Sequence, residues 1–181
     1  MSRSSSPYEF YKWINAWLLG TRRDSTIADA IGPAFACLFR AQEKLPFRTA
    51  NCGRGIKVNS IPGLKDKYDN WKTAFATGQP VNFWGFSSFS TDSDVVNKFK
   101  AKTHEESIVY CCGSLSGVEI DPFSPDGMPL ECELLPLAPA MFTVLAAMKV
   151  DSCVVVTIKQ EDNYSDAYVK PTKKHVDPCS P

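Results

Sequence analysis

Leu130-Glu131-Cys132-Glu133-Leu134-Leu135 alternates apolar and acidic side chains, as a half-buried β-strand does. A strand turns successive side chains to opposite faces, so Glu131 and Glu133 are predicted to share one face while Cys132 and the leucines around it point into a core. Strands are poor in Glu, and like charges on one face repel each other. An E-x-E triplet also arises by chance about once in a chain of this length. The two carboxylates therefore indicate chemistry only if polar residues upstream support them.

The length and composition predict one globular domain. The 181 residues are 44% hydrophobic and 12% aromatic, which suffices for one substantial core and not for two. We expect the domain to span residues 1–160, with 161–181 as a flexible tail, because the last residues have no periodic apolar face. Twenty basic residues balance twenty acidic ones. The overall charge therefore favours neither a nucleic acid nor a membrane as partner, and we expect a monomer.

The cysteines and the hydropathy pattern bear on the compartment. Seven cysteines is an odd number, and Cys111 and Cys112 are adjacent, so reduced thiols are expected rather than a fully paired disulfide framework. No apolar run approaches the roughly 18 residues of a membrane-spanning helix, and residues 1–6 are polar rather than signal-like. These features predict a soluble, cytoplasmic protein, unless the chain is a piece of a longer or secreted one.

Helical patterns dominate the first third of the chain. Apolar residues at three-to-four-residue spacing predict one helix over Tyr8–Leu19 and a second from about Ser25 to Leu45. Gly32-Pro33 is expected to break or kink the second helix, which Leu45-Pro46 should stop. Shorter helices are expected within Ile61–Phe75 and over Val95–Phe99, the latter opened by a capping box of Thr91 and Asp94.

Strand patterns dominate the rest of the chain. The predicted strands begin at Asn51 and continue over Val81–Ser90, Ser107–Cys112, Ser116–Ile120, Leu130–Leu135, Met141–Val150 and Cys153–Lys159, the last two joined as a hairpin at Asp151-Ser152. Because helices precede strands, the expected fold class is α+β. The N-terminal helices should pack on a mixed or antiparallel β core of two sheets.

Two upstream segments carry polar side chains suited to a ligand. In Cys52-Gly53-Arg54-Gly55-Ile56, glycines flank an arginine and let the backbone approach a ligand closely. Arg54 is therefore predicted to be a cation presented at an open surface, the alternative being a Gly-rich turn with a solvated Arg. In Val81–Ser90, aromatic residues give way to alternating hydroxyls. Such a strand buries its rings and turns its serines to the other face.

Taken in order, the segments around Arg54, Ser88 and Glu133 resemble the R-S-E signature of mono-ADP-ribosyltransferases, in the arginine-directed branch that carries E-x-E. The resemblance extends from about Tyr8 to Val150. Arg48 is a second candidate for the family arginine. Arg54 is preferred because a glycine follows it and an apolar strand continues from it.

Two positions depart from the family pattern that this chain resembles. Family members usually carry an aromatic residue where Gly53 stands and a Thr or Ser where Phe89 stands. The second departure is expected to remove one hydroxyl from the site. Ser88 still matches the serine that matters most in the family.

The resemblance implies NAD as co-substrate and a protein arginine as acceptor, without a metal. Arg54 would grip the NAD diphosphate with its rigid charged fork. Glu133 would stabilise the positive charge that develops on the ribose, and Ser88 would fix the Glu133 rotamer. Glu131 would act as general base, because an arginine guanidinium is a poor nucleophile until it loses a proton. The NAD-binding residues so implied are Arg54, Gly55, Ser88, Ser90 and Glu133.

Other functions remain open at this point. Water in place of the acceptor would make the protein an NAD glycohydrolase, and Phe89 gives some support to a degenerate member that binds NAD or a partner without turnover. A zinc site is disfavoured, since His104 and His175 are the only histidines and no C-x-x-C pair occurs.

Overall fold

A computed structural model describes residues 25–61, 63–83, 87–99, 105–123, 130–137 and 140–161. Within these ranges the helices are α1 (Ser25–Lys44), α2 (Leu64–Asp69), α3 (Trp71–Ala74) and α4 (Ser93–Phe99), with short 3-10 helices at Val58–Ser60 and Asp121–Phe123. The helix predicted over Tyr8–Leu19 and the tail predicted over 161–181 lie outside these ranges, except for residue 161.

The strands of the described residues form one mixed sheet. They are β1 (Phe47–Lys57), β2 (Pro80–Phe83), β3 (Phe89–Ser90), β4 (Ser107–Glu119), β5 (Glu133–Leu135), β6 (Ala140–Val150) and β7 (Cys153–Gln160). Their order across the sheet is β1-β3-β5-β4-β7-β6-β2, with β4 and β7 parallel and the other pairs antiparallel. The predicted α+β class is confirmed, but the strands form a single sheet where two were expected.

Four of the strands close into a ring. Strand β1 pairs with β3, β3 with β5, and β5 with β4, and β4 returns to pair with β1 along most of its length. Strand β4 also pairs with β7 through Ser107–Cys112. The long strand β4 can serve all three neighbours because at 13 residues its two ends reach different partners.

The described helices lie where the sequence patterns predicted them, but α1 is not broken at Pro33 and the cap of α4 is a different residue. Helix α1 ends at Lys44, just before Leu45-Pro46, as predicted, but it continues through Pro33 without a break. Pro33 is exposed, so solvent can reach the carbonyl that the missing N–H leaves free. At the start of α4 the cap is Asp92, whose Oδ1 accepts the Asp94 N–H at 2.8 Å, rather than the predicted capping box.

Two strand boundaries differ from the prediction. The segment 81–90 is divided between β2, which pairs with β6, and β3, which pairs with β1 and β5. Conversely, the predicted strands 107–112 and 116–120 form the single strand β4, which ends at Glu119. The predicted hairpin of β6 and β7 is confirmed, with Asp151 of its turn in the left-handed region at φ 53°.

The buried side chains of the sheet and of α2 form one continuous core, and α3 packs against it. Its largest fully buried side chains include Tyr68 of α2, Phe89, Phe142 and Leu134. Helix α1 is anchored by Gln42, whose Nε2 donates to the carbonyl oxygens of Leu135 and Pro136, both at 3.0 Å. Because one carbonyl belongs to the last residue of β5 and the other to the residue after it, the helix and the end of that strand are fixed together.

The cysteines are mostly reduced. Free thiols occur at Cys52, Cys111, Cys112, Cys132 and Cys153, whereas Cys37 is disulfide-bonded. The expectation of reduced thiols therefore holds at five positions and is wrong at Cys37. Among the helices of the described residues, none has the length and apolar character needed to cross a membrane.

Candidate active site

A single row of paired residues brings three strands of the site together. Ser90 of β3 pairs with Gly53 of β1 on one side and with Glu133 of β5 on the other. Residues that pair directly in an antiparallel ladder have neighbouring Cα atoms. The register of the two-residue strand β3 thus places the neighbour of Arg54, the serine segment and the second glutamate side by side.

Arg54 is more enclosed than the sequence predicted. It pairs with the buried Tyr110 across β1 and β4, and its Nη1 donates to the carbonyl oxygen of Ser88. Burial lowers the pKa of the Arg54 guanidinium, while the nearby Glu133 carboxylate opposes that effect. The side chain is therefore half-buried and held by the Ser88 segment, where the sequence predicted an openly presented cation. The buried Nε atom has no hydrogen-bond partner among the described residues.

Ser88 joins the arginine to the second glutamate. Its Oγ donates a hydrogen bond to Glu133 Oε1, while its carbonyl oxygen accepts from Arg54. Residue 88 precedes β3, so its backbone is not tied into a ladder and both groups can turn to the site. One serine therefore fixes the guanidinium and the carboxylate relative to each other.

The E-x-E segment is irregular where a strand was predicted. Strand β5 begins only at Glu133, and Cys132 lies in the left-handed region at φ 50°. Leu130 is 68% exposed and Cys132 is exposed as well, so neither points into the core as the alternation pattern predicted. Leu134 does point into the core, since its side chain is 1% exposed. The strict two-residue period fails because the ladder with β3 reaches no further than the Ser90–Glu133 pair.

This irregular segment has no ladder, and hydrogen bonds from Ser90 and Thr91 fix its backbone instead. The Ser90 Oγ donates to the Glu131 carbonyl oxygen at 2.6 Å, and the Thr91 N–H donates to the Cys132 carbonyl oxygen at 3.0 Å. The Ser90 Oγ in turn accepts the Asp92 N–H at 3.0 Å. Ser90 thus acts on the backbone that carries Glu131, a role that no sequence motif signalled.

The residues described above surround one cleft of about 170 Å³. Its lining comprises Gly53, Arg54, Gly55, Ser88, Ser90, Val95, Val96, Glu131 and Glu133. All the candidate site residues from the sequence therefore meet here, although Glu131 reaches the cleft without belonging to a strand. The enclosed volume is below the roughly 300 Å³ of pockets that bury a whole drug-sized ligand, so it suits one ring of a larger molecule.

Two valines of α4 form the apolar wall that the sequence did not assign to the site. A side chain at Gly53 would place its Cβ 3.2 Å from both methyl carbons of Val96, which is tighter than ordinary contact. Gly53 therefore lets α4 pack closely on β1 beside Arg54. An apolar face on α4 was visible in the sequence, but its partner at position 53 is set by tertiary packing alone.

Glu131 has the electrostatics of a base. Partial burial raises the pKa of its carboxyl, and the nearby negative charges of Glu133 and Asp121 raise it further, while Lys98 of α4 acts in the opposite direction. A carboxylate whose pKa is raised accepts a proton more readily than an ordinary surface Glu.

Phe89 faces the core and not the cleft. Its side chain is 1% exposed, and its ring centroid lies 5.5 Å from that of Phe83 and 5.6 Å from that of Phe142. Neighbouring residues Ser88 and Ser90 line the cleft, as alternation about residue 89 requires. The expectation that Phe89 removes a hydroxyl from the site is therefore wrong.

Replacing Phe89 by Leu tests this core role. Loss of the ring contacts with Phe83 and Phe142 should lower the free energy of unfolding by only about 1 to 2 kcal/mol, because the leucine fills most of the same volume. The NAD turnover that the resemblance implies, measured well below the melting temperature, should stay within about two-fold of wild type. Urea denaturation and an assay for released nicotinamide test the two expectations. A ten-fold loss of turnover with unchanged stability would instead place residue 89 in the site.

Two alternatives from the sequence concerned Arg48 as the site arginine and a zinc site. Arg48 Nη1 forms an exposed ion pair with Glu119 Oε1 at 2.9 Å, away from the cleft. In the part of the chain that the structure describes, no group of three His, Cys, Asp or Glu side chains is arranged to hold a metal ion. His104 and His175 lie outside the described residues.

Comparison with known proteins bears on the fold. No protein-family model and no curated protein match the sequence. Vis toxin, an ADP-ribosyltransferase from Vibrio splendidus, is similar with a TM-score of 0.58 and 16% identity, over 87% of this chain and 70% of that chain. Vis in complex with agmatine gives a TM-score of 0.60 and 17% identity, over 86% and 70%. The chain has the ADP-ribosyltransferase fold.

Exoenzyme S from Pseudomonas aeruginosa is similar as well. Its complex with human 14-3-3 protein beta, bound to carba-NAD, gives a TM-score of 0.57 and 13% identity, over 94% of this chain and 74% of that chain. At such identities the similarity is one of fold. The resemblance to ADP-ribosyltransferases, first drawn from three short segments, is thus confirmed for the architecture on which those segments lie.

Proposed function

We propose that this chain is an ADP-ribosyltransferase that cleaves the bond between nicotinamide and ribose in NAD and transfers ADP-ribose to an arginine side chain of a target protein. The observation that carries the proposal is the cleft in which Arg54, Ser88, Glu131 and Glu133 meet. Three separate segments supply these residues, so their meeting is a property of the fold and not of one motif. The solved Vis and exoenzyme S structures, with agmatine and carba-NAD, support the same substrate classes.

Arg54 fits the role of a phosphate-binding residue. A guanidinium presents five N–H donors, of which Nη1 serves Ser88 and Nε lacks a described partner. An unsatisfied buried donor is costly, and an oxygen of the diphosphate or ribose would offset that cost. Its hydrogen bond to the Ser88 carbonyl holds the fork in one orientation beside the cleft.

Glu133 is placed to stabilise positive charge on the ribose. When the nicotinamide leaves, the ribose carbon becomes electron-poor, and a fixed carboxylate beside it lowers the barrier. The hydrogen bond from the Ser88 Oγ limits the carboxylate to one rotamer while its second oxygen stays free for the ribose hydroxyls. The same use of carboxylates beside sugar rings occurs in glycoside hydrolysis.

Glu131 lies next to Glu133 in the cleft and is the base for the acceptor. The incoming guanidinium must lose a proton to the Glu131 carboxylate before its nitrogen can attack the ribose carbon. The raised pKa of Glu131 suits this transfer. Glu131 lies two residues before β5, outside the ladder, and its half-buried side chain lines the cleft, where the acceptor would meet it.

The deciding experiment incubates the purified protein with NAD and agmatine and quantifies nicotinamide and ADP-ribosyl-agmatine by mass spectrometry. We expect both products, formed in comparable amounts. Nicotinamide and free ADP-ribose without the agmatine adduct would indicate an NAD glycohydrolase. Absence of nicotinamide at enzyme concentrations that bind NAD would contradict catalysis altogether.

The pH dependence should distinguish Glu131 from Glu133. Protonated Glu131 cannot accept a proton, so the transfer rate should fall as the pH is lowered through its raised pKa. Any change in the cleavage of NAD affects transfer and hydrolysis alike, so the ratio of transfer to hydrolysis isolates Glu131. Between about pH 8 and about pH 4 this ratio should first stay level and then fall, and the fall should begin at a higher pH than for an ordinary Glu because the pKa of Glu131 is raised. A ratio that stays constant over the range would exclude Glu131 as the base.

A further inference from the structure

Asp121 lies at the end of the β4–β5 ladder, directly beside the candidate catalytic carboxylates. The two residues that follow β4 hold Glu133 through its backbone carbonyl and N–H groups. The Ile120 N–H donates to the Glu133 carbonyl oxygen at 3.2 Å, and the Glu133 N–H donates to Asp121 Oδ1 at 3.3 Å. The Asp121 side chain thus substitutes for a backbone acceptor where the ladder stops.

Asp121 accepts a backbone N–H but is in no ion pair among the described residues. The negative charges of Glu133 and Asp121 both raise the pKa of the Glu131 carboxyl, whereas Lys98 of α4 lowers it. A third carboxylate next to two others is unfavourable, so its presence calls for a compensating role.

We infer that Asp121 is a positioning residue for the two glutamates: its Oδ1 fixes the backbone of Glu133, and its negative charge stands beside Glu131. The inference rests on the proposed function, because it assigns Asp121 an effect on each of the two steps. The hydrogen bond serves the cleavage of NAD through Glu133. The charge serves transfer by making Glu131 a stronger base.

Two substitutions separate the two effects. Asp121→Asn keeps an oxygen acceptor for the Glu133 N–H but removes the charge, whereas Asp121→Ala removes both. Glu119→Gln is the matched control, because it removes one negative charge from the neighbouring end of β4, where Glu119 is exposed and paired with Arg48. Circular dichroism and thermal melts establish that each variant is folded.

The acid limb is the pH range over which the ratio of transfer to hydrolysis falls as the pH is lowered. With Asp121→Asn, this limb should move to lower pH. At acidic pH the ratio should rise by roughly two- to five-fold over wild type, the size of a screened interaction between partly exposed charges. Hydrolysis at neutral pH should not change. With Asp121→Ala, the limb should move in the same way, and the kcat for hydrolysis should also fall roughly two- to ten-fold, as for one lost hydrogen bond. Glu119→Gln should leave the limb and the kcat unchanged.

A limb that does not move in Asp121→Asn would overturn the charge effect, and equal hydrolysis in the Asn and Ala variants would overturn the positioning of Glu133. A second readout does not need activity. NMR titration of the ¹³C-labelled Glu131 carboxyl, assigned with Glu131→Gln, should give a lower midpoint in Asp121→Asn than in wild type. If wild type showed neither transfer nor hydrolysis, the proposed function would fail while this titration still decided the effect of Asp121 on Glu131.

Discussion

Replacing Glu133 by Gln is expected to lower the rate of nicotinamide release from NAD by about 100-fold or more, the usual cost of removing one electrostatic partner of the transition state. Gln keeps an oxygen that can accept the Ser88 hydroxyl, and its backbone remains paired with Ser90. The shape of the cleft should therefore survive while the negative charge is lost. Nicotinamide release measured with and without agmatine should fall equally, since both reactions need the same bond to break.

Glu119→Gln is a suitable control for this variant. It makes the same chemical change on the exposed surface of β4, outside the cleft. We expect its nicotinamide release to stay within about two-fold of wild type. If Glu133→Gln kept more than about a tenth of the wild-type rate, Glu133 could not be the group that stabilises the charge on the ribose.

Replacing Glu131 by Gln should separate the two reactions. Transfer to agmatine should fall by about 100-fold or more, since this general base contributes a factor of that size, while hydrolysis of NAD keeps most of its rate. Water can enter the cleft without this base, and the substitution leaves the NAD contacts proposed for Arg54 and Glu133 in place. Mass spectrometry of the products in one reaction mixture gives both rates.

The Glu131 variant also tests whether the residue has a structural role. Its side chain is only partly buried, and the Ser90 Oγ holds its carbonyl oxygen rather than its carboxyl. The melting temperature should therefore change by no more than a few degrees. Equal loss of transfer and hydrolysis, with NAD still bound, would refute the division of roles and leave a general NAD-cleaving activity.

Local signals in the sequence predicted much of the fold. The apolar spacing of α1, the Pro after it and the Asp151-Ser152 turn are each decided by residues close together in the chain, and the structure agrees with them. The polar residues of the cleft were also predicted, through the resemblance of three short segments to the R-S-E signature, whereas Val95 and Val96 were not. What these residues do in the cleft rests on chemistry that the mutants above must test.

Features set by contacts between distant segments could not be predicted. The burial of Arg54 follows from its pairing with Tyr110, 56 residues later in the sequence by their numbers. The left-handed conformation of Cys132 follows from hydrogen bonds that β3 makes to its neighbours, and no Gly or Asn marks it. The core position of Phe89 depends on which face of β3 residue 89 occupies, and similarity to a motif position by position does not reveal that face.

The closed ring of β1, β3, β5 and β4 limits how the cleft can open. Strands at the edge of a sheet fray first, since their backbone groups are paired on one side alone. The strands that carry Arg54, Ser90 and Glu133 each have a neighbour on both sides. Peeling β3 away would break two ladders at once. Among the described elements, α4 is therefore the part of the cleft wall that can move without breaking a ladder, while the strands that carry the charged groups stay fixed.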